Sequence, residues 1–143
     1  MDKVMVAESF LKAAVYQDCQ AVSHFLTANA GLYFRGQGWI QAYWSRPQVL
    51  AALLEEFSQW EEPALNIWHS QATGNLVALA FQLHGMRNGH PAKQLRSIVL
   101  AIHGWQVTLV QLHYDSELPS MAPESWLVPP PLVDVLAQQL GCA

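Results

Sequence analysis

The period of the hydrophobic pattern changes at Pro63, and this change constrains the fold more than any other feature of the sequence. Before Pro63, apolar residues recur mainly at the three- and four-residue spacing of an amphipathic helix. After Pro63, apolar and polar residues alternate, which is typical of strands with one buried face. Helices followed by strands predict an α+β fold, in which the N-terminal helices pack on one face of a curved, mainly antiparallel sheet.

Three helices are expected in the first half of the chain. Two of them cover residues 4–28 and are separated near Asp18, which is a plausible N-cap. The third is the best marked, because Ser45 and Gln48 have the spacing of a capping box. Pro47 then lies in the first turn, where the missing N–H of proline has no cost.

Four strand-like runs follow, in ALNIWHSQA, LVALAFQLHG, QLRSIVLAIH and WQVTLVQLHYD. Turn signals separate them at residues 73–75, at Asn88-Gly89 and at His103-Gly104. Connections this short predict an antiparallel meander.

Pairing across two-residue turns assigns each side chain of the last three strands to one face of the sheet. Phe81 would then lie opposite Arg96, and Ile98 opposite Leu109, on the face that packs against the helices. Residues two apart share a face of a strand, so the same face should end in a polar cluster. That cluster would contain Arg96, Gln111, His113 and Asp115.

The opposite face of this sheet is predicted to be small and half-apolar. Such a face is poorly suited to water and suggests a homodimer formed through the sheet. The expected centre of the interface consists of Ala78, Ala80, Ser97, Val99, Thr108 and Val110.

Length and composition exclude several classes of protein. The chain has 143 residues, of which 52% are hydrophobic and 13% charged, so it should fold as one globular domain. A formal charge of −4 with seven Lys and Arg residues provides no basic footprint for nucleic acid. No secretory signal and no apolar run of about 18 residues is recognisable, which argues against a membrane span and favours a cytoplasmic protein. Cys19 and Cys142 lack metal-ligand spacing, and neither a metal nor a cofactor is expected.

The domain is expected to span residues 1–117. Residues 118–143 are rich in proline and are expected to pack on the same domain or on a dimer partner, because so short a segment cannot build a core of its own.

This layout resembles the nuclear transport factor 2-like superfamily, and in particular its SnoaL-like branch of small, cone-shaped α+β domains. The resemblance runs from about Ala7 to Asp115 and rests on the helix RPQVLAALLEEF, the hairpin TGNLVALAFQLHG…NGHP and the final HGWQVTLVQLHYD. It implies a pocket between the helices and the concave sheet, and commonly a homodimer formed through the sheets. The superfamily contains cyclases, isomerases, dehydratases, epoxide hydrolases and non-catalytic binding domains, so the fold alone does not select an activity.

Three catalytic patterns of this superfamily were compared with the sequence. Tyr16 could match the tyrosine of the isomerase-like pattern, but the segment GLYFRGQG offers no acid as the base. Arg96 and Asp115 resemble two members of the epoxide-hydrolase-like triad, while Ile98 occupies the third position. The cyclase-like pattern, an acid near the end of the last strands with a neighbouring histidine, is matched most nearly by Asp115 and His113.

The candidate catalytic residues are therefore Asp115, His113 and Arg96. The carboxylate of Asp115 and the imidazole of His113 could form a base whose protonation is tuned by its neighbour. The alternative is a strand end that meets solvent. Arg96 could bind an oxyanion or a carboxylate through its forked donors, or form an ion pair with Asp115 or Glu117.

Aromatic, apolar and amide side chains complete the expected ligand pocket. Tyr16 is interpreted either as a pocket donor or as a core tyrosine with a satisfied hydroxyl. The candidate substrate-binding residues are Tyr16, Trp39, Tyr43, Trp68, Phe81, Ile98, Leu109 and Gln111.

Two hypotheses about function follow, and both involve a small apolar or amphipathic ligand. The first is an enzyme that uses acid/base chemistry for cyclisation, isomerisation, dehydration or epoxide opening. The second is a dimeric ligand-binding or protein-interaction domain without catalysis. The polar cluster favours the first hypothesis, whereas the scarcity of acids in the expected pocket favours the second.

Overall fold

A computed structural model describes residues 2–36 and 38–113 of the chain. The expected catalytic residue Asp115 and the extension 118–143 lie outside the described residues. Within them the elements are α1 (Lys3–Val15), α2 (Cys19–Phe25), β1 (Leu26–Gly36), β2 (Trp39–Trp44), α3 (Arg46–Ser58), β3 (Trp60–Thr73), β4 (Leu76–Arg87), β5 (His90–His103) and β6 (Gln106–His113).

The α+β class is confirmed. Three helices pack on a six-stranded sheet with the spatial order β2-β1-β6-β5-β4-β3. Strands β3 to β6 form the predicted antiparallel meander, while β1 pairs with β6 in parallel and with β2 in antiparallel orientation. The β1–β2 hairpin lies between α2 and α3, so the helices do not all precede the strands.

Capping side chains were predicted at the starts of α2 and α3, and one of these two predictions is wrong. Asp18 caps α2 as predicted, because its carboxylate accepts a hydrogen bond from the Ala21 N–H at 3.2 Å. Ser45 precedes α3, but its φ of 80° is left-handed and its side chain makes no capping hydrogen bond. Gln48 instead accepts from the Trp44 N–H at 3.4 Å, so the predicted capping box is wrong.

The two-residue turn between β4 and β5 is confirmed in position. Arg87 pairs with His90 across Asn88-Gly89, and both turn residues have positive φ, as a type I′ hairpin requires. Phe81 lies opposite Arg96, as the pairing predicted. We call the face of the sheet that packs against the helices the inner face, and the face that points away from them the outer face.

An irregularity at Thr108 reverses the faces of the rest of β6. Ile102 pairs with Val107, but the preceding Ala101 pairs with Leu109, so Thr108 is an extra residue of the kind found in a β-bulge. The turn before it also differs from the prediction, because His103 pairs with Gln106 and the loop residues are Gly104 and Trp105.

The consequence is a correction to the predicted polar cluster. Leu109, Gln111 and His113 pair with the outer-face residues Ala101, Val99 and Ser97, and therefore do not share a face with Arg96. Val110 and Leu112 occupy the inner face and are fully buried in the core. A register deduced from the length of the turn could not reveal this reversal. One extra residue within a strand moves every later side chain of that strand to the opposite face.

The inner face of the sheet and the helices share one hydrophobic core. Residues of α1 and α3 pack there against β1, β4, β5 and β6. Fully buried large side chains of this core include Phe10, Leu53, Phe57, Leu79, Phe81, Ile98 and Leu100.

The centre of the outer face is also buried, which differs from the exposed strip that the sequence suggested. Ala78 and Ala80 have 0% of their surface exposed, and Val99 has 2%. Of the expected interface centre, Val110 lies on the inner face instead. Dimer formation itself stays a prediction.

A small aromatic cluster lies at one side of the outer face. Tyr33 and Trp44 meet edge to face with ring centroids 5.5 Å apart, and Leu109 packs beside them. Burial raises the pKa of the Tyr33 hydroxyl above its ordinary value of 10.0, because the charged phenolate loses solvation.

Gly31→Ala should lower the free energy of unfolding by about 1–3 kcal/mol, because its new methyl group would overpack this cluster. A Cβ at Gly31 would lie 2.9 Å from Trp44 Cε3 and 3.1 Å from Leu109 Cδ1, and closer still to Trp44 Cζ3. Urea unfolding measures the loss. In a Trp44→Leu background the same substitution should cost much less, and an equal cost in both backgrounds would contradict the overlap.

The raised pKa of Tyr33 predicts a loss of stability at alkaline pH. Below the unfolded-state value of 10.0 the hydroxyl is neutral in both states, so its contribution is constant. At higher pH the unfolded chain ionises first and is favoured, until the folded state ionises as well. Between about pH 9 and pH 11, wild type should therefore lose more unfolding free energy than Tyr33→Phe. Parallel slopes in urea titrations of the two proteins would contradict this.

Candidate functional site

A buried ion pair marks the inner face. Arg96 on β5 is 1% exposed, and its Nη1 lies 3.5 Å from Oε1 of Glu56 on α3, whose side chain is 6% exposed. The Arg96 Nε donates a hydrogen bond of 3.2 Å to the backbone oxygen of His113. The Arg96 guanidinium carbon also lies 5.9 Å from the centre of the Phe57 ring. The sheet and α3 thus bring opposite charges together inside the protein.

Glu56 was missed by the sequence analysis, which considered Asp115 the only credible buried carboxylate. A signal was present, because Glu56 follows Leu53 by three residues and Val49 by seven, on the buried stripe of the helix. A carboxylate at such a position needs a buried cation, since unpaired charges are very costly away from water.

His113 and Arg96 meet only through the backbone. The carbonyl of His113 accepts from Arg96, while the His113 side chain lies on the outer face, opposite Ser97 of β5 and Arg35 of β1. Gln111 is also on the outer face, where it is 1% exposed and its Oε1 makes no hydrogen bond to the described residues. The two described catalytic candidates therefore direct their side chains to opposite sides of the sheet.

The apolar candidates are parts of packed clusters. Phe81 and Ile98 are 0% exposed in the main core, so neither presents surface to a ligand in this conformation. Leu109 belongs to the small outer-face cluster with Tyr33.

The aromatic candidates are dispersed over the domain. Tyr16 is 54% exposed at the end of α1, and its hydroxyl accepts a hydrogen bond from the Leu65 N–H at 3.3 Å. Tyr43 is partly buried and meets Phe34 edge to face at 5.6 Å. Trp39 and Trp68 are both largely exposed and lie on the two opposite edge strands, β2 and β3.

An open groove of about 580 Å³ lies beyond the His103 end of β5. It is formed where α2, the start of α3 and the β5–β6 turn meet. We call it the Trp105 groove. Its lining residues are Cys19, Gln20, Ser23, His24, Leu26, Arg46, Leu50, Trp105 and Gln106.

The Trp105 groove combines an aromatic surface with one permanent positive charge. The rings of Trp105 and His24 are stacked, with centroids 4.8 Å apart and an interplanar angle of 18°. Trp105 is nevertheless 46% exposed, so part of its ring is accessible. Among the lining residues that the structure describes, Arg46 carries the permanent positive charge and none is acidic. Such a surface suits a flat or amphipathic anion.

This groove was not predicted from the sequence. Trp105 was expected to be a strand residue, and His24 was assigned to no site. The available signal was a tryptophan directly after Gly104, since hairpin turns usually carry small or polar residues.

Neither a metal site nor a membrane span is found within residues 2–36 and 38–113. No three His, Cys, Asp or Glu side chains of this part of the chain are grouped closely enough to hold a metal ion. None of the helices described there has the length and hydrophobicity to cross a bilayer.

Comparison with known proteins identifies the fold. No protein-family model and no curated protein matches the sequence. Among solved structures, a putative polyketide cyclase from Xanthomonas campestris superposes with a TM-score of 0.65 at 18% identity, covering 79% of this chain and 90% of that one. An epoxide hydrolase from M. tuberculosis, described as LEH-like, gives 0.63 at 16% identity and covers 79% and 82%.

A third match is a hypothetical protein from Catenulispora acidiphila with a ketosteroid isomerase-like fold, solved with trimethylamine. It gives a TM-score of 0.63 at 16% identity and covers 80% of this chain and 93% of that one. Identities this low show a common fold and leave the activity open. The chain has the cone-shaped α+β fold of the nuclear transport factor 2-like and SnoaL-like proteins.

Proposed function

We propose that this protein binds an amphipathic small molecule with an anionic group in the Trp105 groove, and that it acts without catalysis. The observation that carries the proposal is the partly exposed Trp105–His24 stack, which shares one groove with Arg46. A volume of about 580 Å³ falls within the range of about 300–1,000 Å³ found for ligand pockets.

Each part of the groove has a role in this binding mode. The exposed part of Trp105 offers a flat apolar surface on which a ring or a hydrocarbon segment packs. Arg46 supplies paired donors for a carboxylate or sulfonate, and such charge-assisted hydrogen bonds are stronger than neutral ones. Leu26 and Leu50 extend the apolar lining.

Binding without turnover is supported by the distribution of the ionisable groups. The described residues that line the groove include no carboxylate, whereas acid/base enzymes commonly use two groups with different pKa values. Arg96 and His113 direct their side chains to opposite faces of the sheet, which does not favour a shared reaction centre.

The fluorescent probe 1-anilinonaphthalene-8-sulfonate combines an aromatic body with one anionic group and therefore tests the groove. Trp105→Ala should weaken its binding by about 3- to 10-fold, the usual worth of an aromatic contact. Arg46→Gln should weaken it by about 10-fold or more, because a charge-assisted hydrogen bond is lost. Fluorescence titration gives the Kd.

Trp39→Ala is the matched control for this titration, because Trp39 is equally exposed at 45% but lies on edge strand β2. It should leave the Kd unchanged. An equal loss in Trp39→Ala and Trp105→Ala, or no saturable binding by the folded wild type, would contradict the proposal.

A second candidate function is an acid/base enzyme of the cyclase, isomerase, dehydratase or epoxide-hydrolase kind. The observation that favours it is the Glu56–Arg96 pair on the inner face, between the helices and the sheet. Glu56 would then act as the base in the role that the sequence analysis assigned to Asp115, and Arg96 would stabilise a developing oxyanion.

A double-mutant cycle on Glu56 and Arg96 separates a structural ion pair from a reactive one. Glu56→Gln removes the buried carboxylate that lies 3.5 Å from Arg96 and should cost about 3–5 kcal/mol of unfolding free energy. Glu56→Gln combined with Arg96→Met removes both charges and should cost far less than the sum of the two single changes. Urea unfolding of all variants gives the coupling energy, and purely additive losses would show that the pair is not coupled.

The rate of an enzymatic reaction is the second property to measure in these variants. If wild type opens an aryl epoxide such as styrene oxide, and a folded Glu56→Gln protein does so about 10²–10⁴-fold more slowly, the enzyme reading is supported. Equal rates in the two proteins would exclude Glu56 as the base in that reaction.

A further inference from the structure

We propose that residues 114–143 of this chain, and not a second copy of it, cover the outer face of the sheet. This inference is independent of ligand binding in the Trp105 groove. The proposal rests on one observation: side chains of the outer face are buried although they point away from all three helices.

The centre of the outer face is inaccessible in a single chain. Ala78 and Ala80 on β4 are 0% exposed, Val99 on β5 is 2% exposed, and Gln111 on β6 is 1% exposed. These strands are neighbours in the centre of the sheet, and the residues are paired across them, so they form one continuous patch.

The described elements do not account for this burial. The helices share a core cluster with the inner face, while Ala78, Ala80 and Val99 belong neither to it nor to the Tyr33–Leu109 cluster. Adjacent strands are about 4.8 Å apart, and an alanine methyl group barely rises above the backbone. Neighbouring side chains in the same layer would therefore leave part of each alanine accessible, and a complete loss of exposure requires a further layer.

The remaining part of the chain begins next to this patch. Strand β6 is central in the sheet, and its last described residue, His113, lies on the outer face opposite Ser97. Residues 114–143 could extend to about 100 Å, whereas the sheet is about 24 Å from one edge strand to the other. The segment therefore has ample length to cross the whole face.

The composition of this segment suits an apolar surface. Its large apolar residues are Leu118, Met121, Trp126, Leu127, Val128, Leu132, Val133, Val135, Leu136 and Leu140. Its charged residues are all acidic, namely Asp115, Glu117, Glu124 and Asp134, and the outer face carries the cation Arg35 beside His113. The charges of the segment and of the face are thus complementary.

A second copy is a poorer occupant of the same face. A stable dimer buries about 1,200–2,000 Å² of accessible surface. Ala78, Ala80 and Val99 have almost no accessible surface left to contribute. A partner could reach them only if the layer that already covers them moved away.

The test measures the reactivity of a thiol placed on the outer face of the full chain. Ala80→Cys is a small change at a fully buried position, and the exposed native Cys19 serves as an internal reference. Alkylation by iodoacetamide is followed for each cysteine by peptide mass spectrometry. In otherwise unchanged protein, the new thiol should react about 100-fold more slowly than Cys19, because it reacts only when its cover opens.

Substitutions in the segment itself then identify the cover. Trp126→Ser and Leu132→Ser, each combined with Ala80→Cys, should raise the reactivity at position 80 by about 10-fold or more. Gln138→Ser is the matched polar control in the same segment and should leave it unchanged. Light scattering of the same samples reports their mass.

Each other result overturns the proposal. A thiol at position 80 that reacts as fast as Cys19 shows an uncovered face. A slow thiol that becomes fast on dilution, as a dimer dissociates, identifies a second copy as the occupant. A slow thiol that responds neither to dilution nor to Trp126→Ser and Leu132→Ser shows that the described domain buries its own outer face.

Discussion

The extra residue at Thr108 decides which side chains of β6 reach the helices. Without it, the alternation that begins at Val107 would place Gln111 and His113 in the hydrophobic core, where polar groups without partners are costly. With it, Val110 and Leu112 take the inner positions and close the core. The same irregularity moves Leu109 to the outer face, where it packs with Tyr33. One residue thus sets the composition of both faces.

The core closed in this way still contains two charges, and they hold each other in place. Glu56 of α3 and Arg96 of β5 lie 3.5 Å apart with almost no exposed surface. Desolvation of two ions is costly and the attraction between them recovers it only in part, so such a pair is weak evidence for extra stability. It does restrict how α3 can sit on the sheet, since any shift that separated the two side chains would break a buried ion pair. The pair therefore favours one docking of the helix over its alternatives.

The Trp105 groove and the Glu56–Arg96 pair are separate features of the fold. Arg96 lies in the middle of β5 and His103 at its end, about 23 Å apart along an extended strand, and the groove begins at the turn after His103. A ligand in the groove would thus not contact the ion pair directly. The similar solved structures share the architecture that positions both features, at identities of 16–18% that leave the chemistry to this chain's own side chains.

Local patterns in the sequence determined the class of fold, the α2 cap at Asp18, the Asn88-Gly89 turn and the pairing of Phe81 with Arg96. Each of these depends on residues close together in the chain, where spacing and turn chemistry act directly. The sequence also contained the signal for the irregular β6, because Leu109 and Val110 are adjacent apolar residues that break the alternation. Only the tertiary structure decided which side chains of β6 point towards the helices. It also decided that Glu56 pairs with Arg96 and that His24 stacks on Trp105. These outcomes depend on contacts between residues about 40 to 80 positions apart, whose energies appear only when the elements pack together.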